Sequence, residues 1–245
     1  MAIQPRCKTA LPARKTIWLD DRTWASRREY QRFLGTYVLD RKSGFYFEQD
    51  TADEQRALIA GGLKRVPRPL CRLARAYELT FSTCPRATAA GHSSTFYANF
   101  SQKDRARISP HVEMSAHSLE PASLLPHLTH ELSHLWWRHQ PAERRSAYTA
   151  FLVRTCVSGG REVTEYAQVH LDAHREALAM PDSHMHADYY RERTLKEWSE
   201  ESFCETVALL AVGAHPGLNR RTNVDLDERR KAVTLLAGLP LPNRN

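Results

Sequence analysis

The stretch HLTHELSHLWW, residues 127–137, decides how this chain is read. It sets His130 and His134 four residues apart, with Glu131 directly after the first and another imidazole, His127, just upstream. A helix is expected to begin at Ser123 as N-cap and to run to about His139, ahead of Pro141. Pro126 then falls in the first turn, where a missing N–H costs little. At about 100° per residue, Leu124, Leu125, Leu128, Leu132 and Leu135 share one side, and His127, His130, His134 and Trp137 the other. The leucines would seat the helix in a core while the histidines face something else.

Two imidazoles one helical turn apart can aim ring nitrogens at one point about 2 Å from each, which is what Zn2+ requires. A carboxylate beside that point can take a proton from an activated water and pass it to a leaving amine. HExxH is therefore the pattern of zinc-dependent peptide hydrolysis, and it predicts one catalytic Zn2+ with His130 and His134 as ligands and Glu131 as general base. Ordinary structural histidines are the competing reading. Composition alone seldom produces HExxH, even in a chain with 12 histidines.

A catalytic zinc needs a third protein ligand and an open position. The metzincin continuation HExxHxxGxxH is excluded: Trp137 and Gln140 stand where it needs glycine and histidine, and His139 is one residue short. The next candidate is EWSEESFCETVALLAV, residues 197–212, another expected helix. Glu201 and Glu205 share one face, opposite an apolar stripe of Phe203, Val207, Leu210 and Ala211. One carboxylate would bind zinc; the other, one turn on, would hydrogen-bond the second ring nitrogen of a ligand histidine and fix its tautomer. Glu200 falls towards the apolar side and is the poorer candidate. Glu197 shares the Glu201 face, and periodicity alone does not exclude it. A solvated acidic stripe is the alternative.

The rest of the chain sets the context. Its 245 residues suit one sizeable domain or two small ones, with 42% hydrophobic and 26% charged residues. No run of about 18 apolar residues exists, so no membrane span is expected. The opening MAIQPRCKTALPARK is basic and lacks the apolar core of a Sec signal. The chain is thus expected to be cytoplasmic, or exported by a non-Sec route. Cys7, Cys71, Cys84, Cys156 and Cys204 are scattered without a CxxC pair, which argues against a cysteine zinc knuckle and a disulfide framework. The net charge is +7, but Lys and Arg are spread along the chain. That reads as a solvated surface, or attraction to acidic partners, rather than a nucleic-acid interface.

Residues 1–15 read as a loose arm and 16–245 as a single domain. Residues 16–66 read as helical or mixed, broken at Gly61–Gly62 and followed by Pro67–Pro69. Strands are expected in YELTFSTC (77–84), SSTFYANF (93–100) and HVEMSAHS (111–118). From about 121 the chain reads helical, interrupted near Ser158–Gly160, Pro181–Ser183 and His215–Gly217. The order is α+β: a small sheet, the HExxH helix, then further helices. A peptide substrate could lie extended along an edge strand, with 111–117 as the candidate.

HELSH, VTEYA (163–167) and EESFCETVA (200–208) together resemble a zincin family, that of the anthrax lethal factor catalytic domain and the bacterial Pro-Pro endopeptidases. Those gluzincins carry HExxH, a tyrosine in a short [ST]xYA-like stretch, then ExFAE. The resemblance spans roughly residues 120–212, within a family-like core of about 77–215, and implies a zincin-like fold. It implies His130, His134 and Glu201 as ligands, Glu131 as base, Glu205 as the carboxylate behind a ligand histidine, and Tyr166 as the hydroxyl facing the developing oxyanion. Cys204 replaces the alanine of ExFAE. Tyr166 lies 35 residues before Glu201, against several in the family, so 168–196 would be an insertion and Tyr189 or Tyr190 could substitute. That segment holds His170, Asp172, His174, His184, His186 and Asp188, read as ordinary surface or as a second metal or gating site.

Two functions follow. The first is a zinc endopeptidase acting on a protein or peptide. The second is a zincin-fold binding or regulatory module that has lost turnover, with nucleic-acid-associated partners. An intact Glu131 argues against the second, since a binding-only site needs no base.

Overall fold

The computed structural model describes residues 37–49, 51–77, 79–82, 94–98, 109–114, 117–157, 159–213 and 225–241. The expected arm at 1–15, the reading of 16–36, and the interruption at His215–Gly217 lie outside them. The chain is α+β, and its contacts divide it into two compact units: Met1–Gly61 with Ala74–Glu120, and Gly62–Leu73 with Pro121–Asn245.

The first unit carries the sheet. Strands β1 (Tyr37–Asp40), β2 (Phe45–Glu48), β3 (Thr80–Ser82), β4 (Ser94–Ala98) and β5 (Ser109–Glu113) line up in the order β1-β2-β3-β5-β4. The outer pairs are antiparallel and the two inner pairs parallel. All three expected strands are present. Among the described residues, 16–66 are mixed, as one of the two readings had it; the mostly helical reading is corrected at 37–48, which form a hairpin. Its turn is built by Asp40, whose carboxylate accepts from the backbone N–H groups of Lys42 and Ser43, and by Gly44 at φ 75°. Phe45, Phe47, Phe81 and Val112 are buried, with Phe47 stacked on Phe81 at 5.5 Å. β5 has a strand on each side, so the notion of 111–117 as an edge for substrate is also corrected: among the described residues the edges are β1 and β4.

Helices α1 (Asp53–Leu63) and α2 (Arg68–Ala76) follow the hairpin. The expected break at Gly61–Gly62 does not occur, because α1 continues through both glycines. A Cβ on Gly62 would come within 2.7 Å of Leu128 Cδ1, so this glycine serves close packing rather than termination.

The second unit is helical. It contains α3 (Pro121–His139), α4 (Ala142–Leu152), α5 (Glu165–Ala179), α6 (Ala187–Val212) and α7 (Leu226–Lys231). α3 begins two residues before the expected cap, because Pro121 takes the first helical position, where its fixed φ is favourable. The five leucines of α3 are buried as expected. Trp137, expected on the other side, is buried too, against Tyr148 and Phe203. α6 packs against both α3 and α5. It ends at Gly213, in the left-handed region at φ 79°, whose N–H donates to Leu209.

Candidate metal centre

The site grows from one helix pair. Along α3, His130 and His134 project from successive turns; along α6, Glu201 and Glu205 do the same. The pair is antiparallel in register: His130 meets Glu205 and His134 meets Glu200, with Glu201 against both imidazoles. Ligand atoms of His130, His134 and Glu201 all lie within 4.8 Å of one another.

His130 Nε2 lies 3.1 Å from His134 Nε2, and the Glu201 carboxylate oxygens lie 3.4 Å from the first and 3.6 Å from the second. Two nitrogens bound to one tetrahedral zinc, each at about 2.05 Å, would sit about 3.3 Å apart. The spacing therefore suits that ion.

The other ring nitrogens supply the chemical argument. His134 Nδ1 is 2.8 Å from Glu200 Oε1. His130 Nδ1 is in ion-pair contact with Glu205 Oε1 at 2.7 Å, off the straight line of an N–H···O bond. A carboxylate at Nδ1 favours the tautomer with hydrogen there, which leaves a lone pair on Nε2. Both Nε2 lone pairs then converge with a carboxylate on one point. Glu201 Oε2 is buried there with no hydrogen-bond partner among the described residues. Three electron-rich groups so gathered call for a cation.

The electrostatics agree. Burial alone would lower the His130 pKa, but the Glu201 and Glu205 carboxylates outweigh it and hold the imidazole well above its ordinary value. His134 is raised in the same way by Glu201 and Glu200 against its own burial. Burial would raise Glu201, yet the two imidazoles pull its carboxyl down to about 2.

Glu131, buried on α3, adds its negative charge to those felt by His130 and Tyr166. Tyr166 lies in the first turn of α5. Thr164, the threonine of the VTEYA stretch, is the N-cap of that helix and its side chain accepts from the Ala167 N–H. This cap sets the start of the helix, and the Tyr166 ring comes edge-on to His130 at 6.1 Å. Tyr166 is itself half exposed; the burial of the rest of its ring and the charges of Glu201, Glu131 and Glu205 push the phenol pKa upward.

The long separation of Tyr166 and Glu201 in sequence is resolved by a helical hairpin. Tyr166 stands 13 residues before the end of α5 at Ala179, and Glu201 stands 14 residues past the start of α6 at Ala187. At a rise of about 1.5 Å per residue the chain goes out and back by nearly equal lengths, about 20 Å each. Residues 168–196 form that hairpin. His174 belongs to its core, stacked on Trp198 at 5.5 Å and bonded to Thr194 Oγ1. Arg191 closes the turn by donating to the carbonyls of Ala177 and Met180. Asp172 accepts from Gln168 and Arg175, and Asp188 pairs with Arg191. Among the described residues the one group able to hold a metal is His130, His134 and Glu201, so the hairpin's histidines form no second site there. Tyr189 and Tyr190 are exposed and pack on one another, with His184 against Tyr190.

Three further residues find their places. His127 is outside the ligand group; its Nδ1 bonds the Ser123 carbonyl one turn back. Glu197 pairs with Arg193 on the exposed face of α6. Glu200, expected towards the apolar side and so the poorer candidate, accepts from His134 Nδ1 and from Arg138 Nε at 2.9 Å. The reason is that α6 is buried all round from Ser202 to Leu210, so its apolar side also borders the histidines. The signal that could have found it was the two adjacent glutamates facing two imidazoles across a helix pair.

No family model matches the chain, and no curated protein or solved structure matches it either.

Proposed function

We propose that this chain is a zinc-dependent endopeptidase with a zincin-like domain, resembling the lethal factor and Pro-Pro endopeptidase family. The observation that carries the reading is the convergence of His130 Nε2, His134 Nε2 and the Glu201 carboxylate, with Glu131 next in sequence to the first ligand. His130, His134 and Glu201 would hold the ion, and Glu205 and Glu200 would keep hydrogen on the far ring nitrogens. When bound, zinc would polarise the scissile carbonyl and acidify a water molecule.

The chain's own residues do the rest. Glu131 accepts the proton released from water and delivers it to the departing amine. Tyr166, its pKa raised, stays protonated at neutral pH and donates its O–H to the oxygen that gains charge. No helix among the described residues is long and apolar enough to cross a membrane. The partner is a protein or peptide.

The test combines metal content with turnover. Purified protein should hold about one zinc per chain by elemental analysis, lost in His130→Ala and in His134→Ala, and should cleave members of a mixed peptide library. Zinc retained stoichiometrically in both variants would overturn the assignment. Zinc lost on schedule with no library member cleaved would favour the binding module.

A further inference from the structure

We propose that Glu200 is a positioning residue for His134 and that Arg138 holds Glu200 to that task; the proposal rests on the metal-site reading above. Two N–H donors meet on a single oxygen: His134 Nδ1 at 2.8 Å and Arg138 Nε at 2.9 Å, both on Glu200 Oε1. Both donors come from α3, one turn apart, so the carboxylate is gripped from one rigid element. The Glu200 side chain is mostly buried, whereas Arg138 reaches the surface.

The consequence lies in the imidazole. A carboxylate accepting Nδ1–H fixes the ring's tautomer and orientation and makes Nε2 a better electron donor. α6 thus carries the ligand Glu201 between two braces, Glu205 one turn ahead for His130 and Glu200 one residue back for His134. Glu200 lies just outside the ExFAE pattern, which begins at Glu201; its place beside His134 follows from the antiparallel register of α3 and α6. Arg138, two turns past His130 on the same ridge, meets Glu200 because the ridge continues past the ligands. With a second donor on its oxygen, Glu200 does not need to swing into solvent for charge partners, and it stays aimed at the ring.

The experiment uses the full chain and zinc itself. Competitive titration against a chelator compares the wild type, Glu200→Gln, Arg138→Ala, the double variant and His130→Ala. Glu200→Gln should bind zinc about 10–100-fold more weakly, the range for groups behind a ligand. Arg138→Ala should lose about 3–10-fold, and the double variant should be no weaker than Glu200→Gln, because Arg138 acts through Glu200. The Co2+-substituted absorption bands should shift in Glu200→Gln, a change at the metal itself that a merely structural role would not produce. Wild-type affinity in Glu200→Gln, with zinc lost in His130→Ala, overturns this proposal alone. Zinc retained in His130→Ala overturns the metal reading beneath it. Additive losses in the double variant overturn the part assigned to Arg138. Should Glu200→Gln fail to fold, the half-exposed Arg138→Ala carries the test, and wild-type affinity there refutes the proposal.

Discussion

Glu201→Gln is the substitution that most sharply tests the centre. Glu201 Oε2 is buried without a hydrogen-bond partner among the described residues, 3.4 Å from His130 Nε2. An amide of the same shape could donate its N–H2 to that nitrogen, so the fold should tolerate the change. Zinc should not tolerate it, since a neutral amide is a poor ligand for this ion. Structural zinc sites gain roughly 10–16 kcal/mol from four ligands, so an equal share is about 2.5–4 kcal/mol, or roughly 60- to 700-fold in affinity. The assay is competitive zinc titration, paired with thermal melts of chelator-treated protein. Expected is a zinc affinity lowered by that factor, with a metal-free Tm that falls at neutral pH, because the change removes the carboxylate that the two imidazoles hold low. Glu197→Gln, whose carboxylate pairs with Arg193 on the exposed face, should bind zinc normally. If Glu197→Gln loses zinc and Glu201→Gln does not, the register of α6 against α3 is wrong, and with it the ligand set.

Glu131→Gln keeps the size of the side chain but cannot accept a proton. Zinc should remain while turnover of a good substrate falls at least ~10²-fold; unchanged cleavage would remove Glu131 from the mechanism. Tyr166→Phe should leave zinc content intact and lower kcat about 10²–10³-fold, the scale of one lost oxyanion donor. Tyr189→Phe and Tyr190→Phe should be near wild type, and the reverse pattern would reassign the hydroxyl. The pH dependence of metal-free stability follows from the raised His130 and lowered Glu201 pKa values. The raised histidine stabilises fully below its ordinary value of 6.5 and loses that contribution as pH rises through its folded pKa. The lowered carboxylate contributes above 4.5 and loses it as pH falls towards about 2. Chelator-treated protein should therefore melt highest between about pH 4.5 and 6.5, and the Tm gain from added zinc should keep growing as pH rises through the raised histidine pKa values, where the ligand nitrogens lose their protons. A metal-free Tm maximum above neutral pH would contradict the charge arrangement.

Much of the site could be read from the sequence because its geometry is local. His130 and His134 are one turn apart on one helix, and Glu201 and Glu205 one turn apart on another, so periodicity alone brings each pair together. Glu200 was not legible in this way. Its role depends on the register between two helices far apart in sequence, and a single-helix wheel treats the side facing a core as chemically silent. Tyr166 posed the opposite problem: the sequence spacing looked too long, and only the near-equal arms of the α5–α6 hairpin bring it back beside Glu201. In the sheet, the expected strands rested on runs of β-type residues. The β1–β2 hairpin was missed even though Asp40 and Gly44 bracket its turn, a signal of the Asx type that was present and unread. Gly61–Gly62 misled for a different reason. Glycine also permits close helix contact, and composition does not tell that use from a break.

Tyr166 and Glu201 are also joined through the core. Glu162, fully buried, stands four residues before Tyr166. Its Oε1 accepts from Trp198 Nε1 at 2.6 Å and its Oε2 from Arg229 Nη2 at 3.1 Å. Arg229, itself buried, donates through Nη1 to Ser202 Oγ at 2.9 Å and through Nη2 to Cys156 Sγ at 3.0 Å. Trp198 and Ser202 flank Glu201 on α6, so one carboxylate ties the segment leading into Tyr166 to the turn that bears Glu201. A buried pair of this kind adds little net stability, but removing one partner costs about 3–5 kcal/mol because it strands the other charge. That asymmetry makes drift of either element expensive. The spacing between Tyr166 and Glu201 is therefore set by the core, and if Tyr166 acts as proposed it would meet a developing charge without first reorganising.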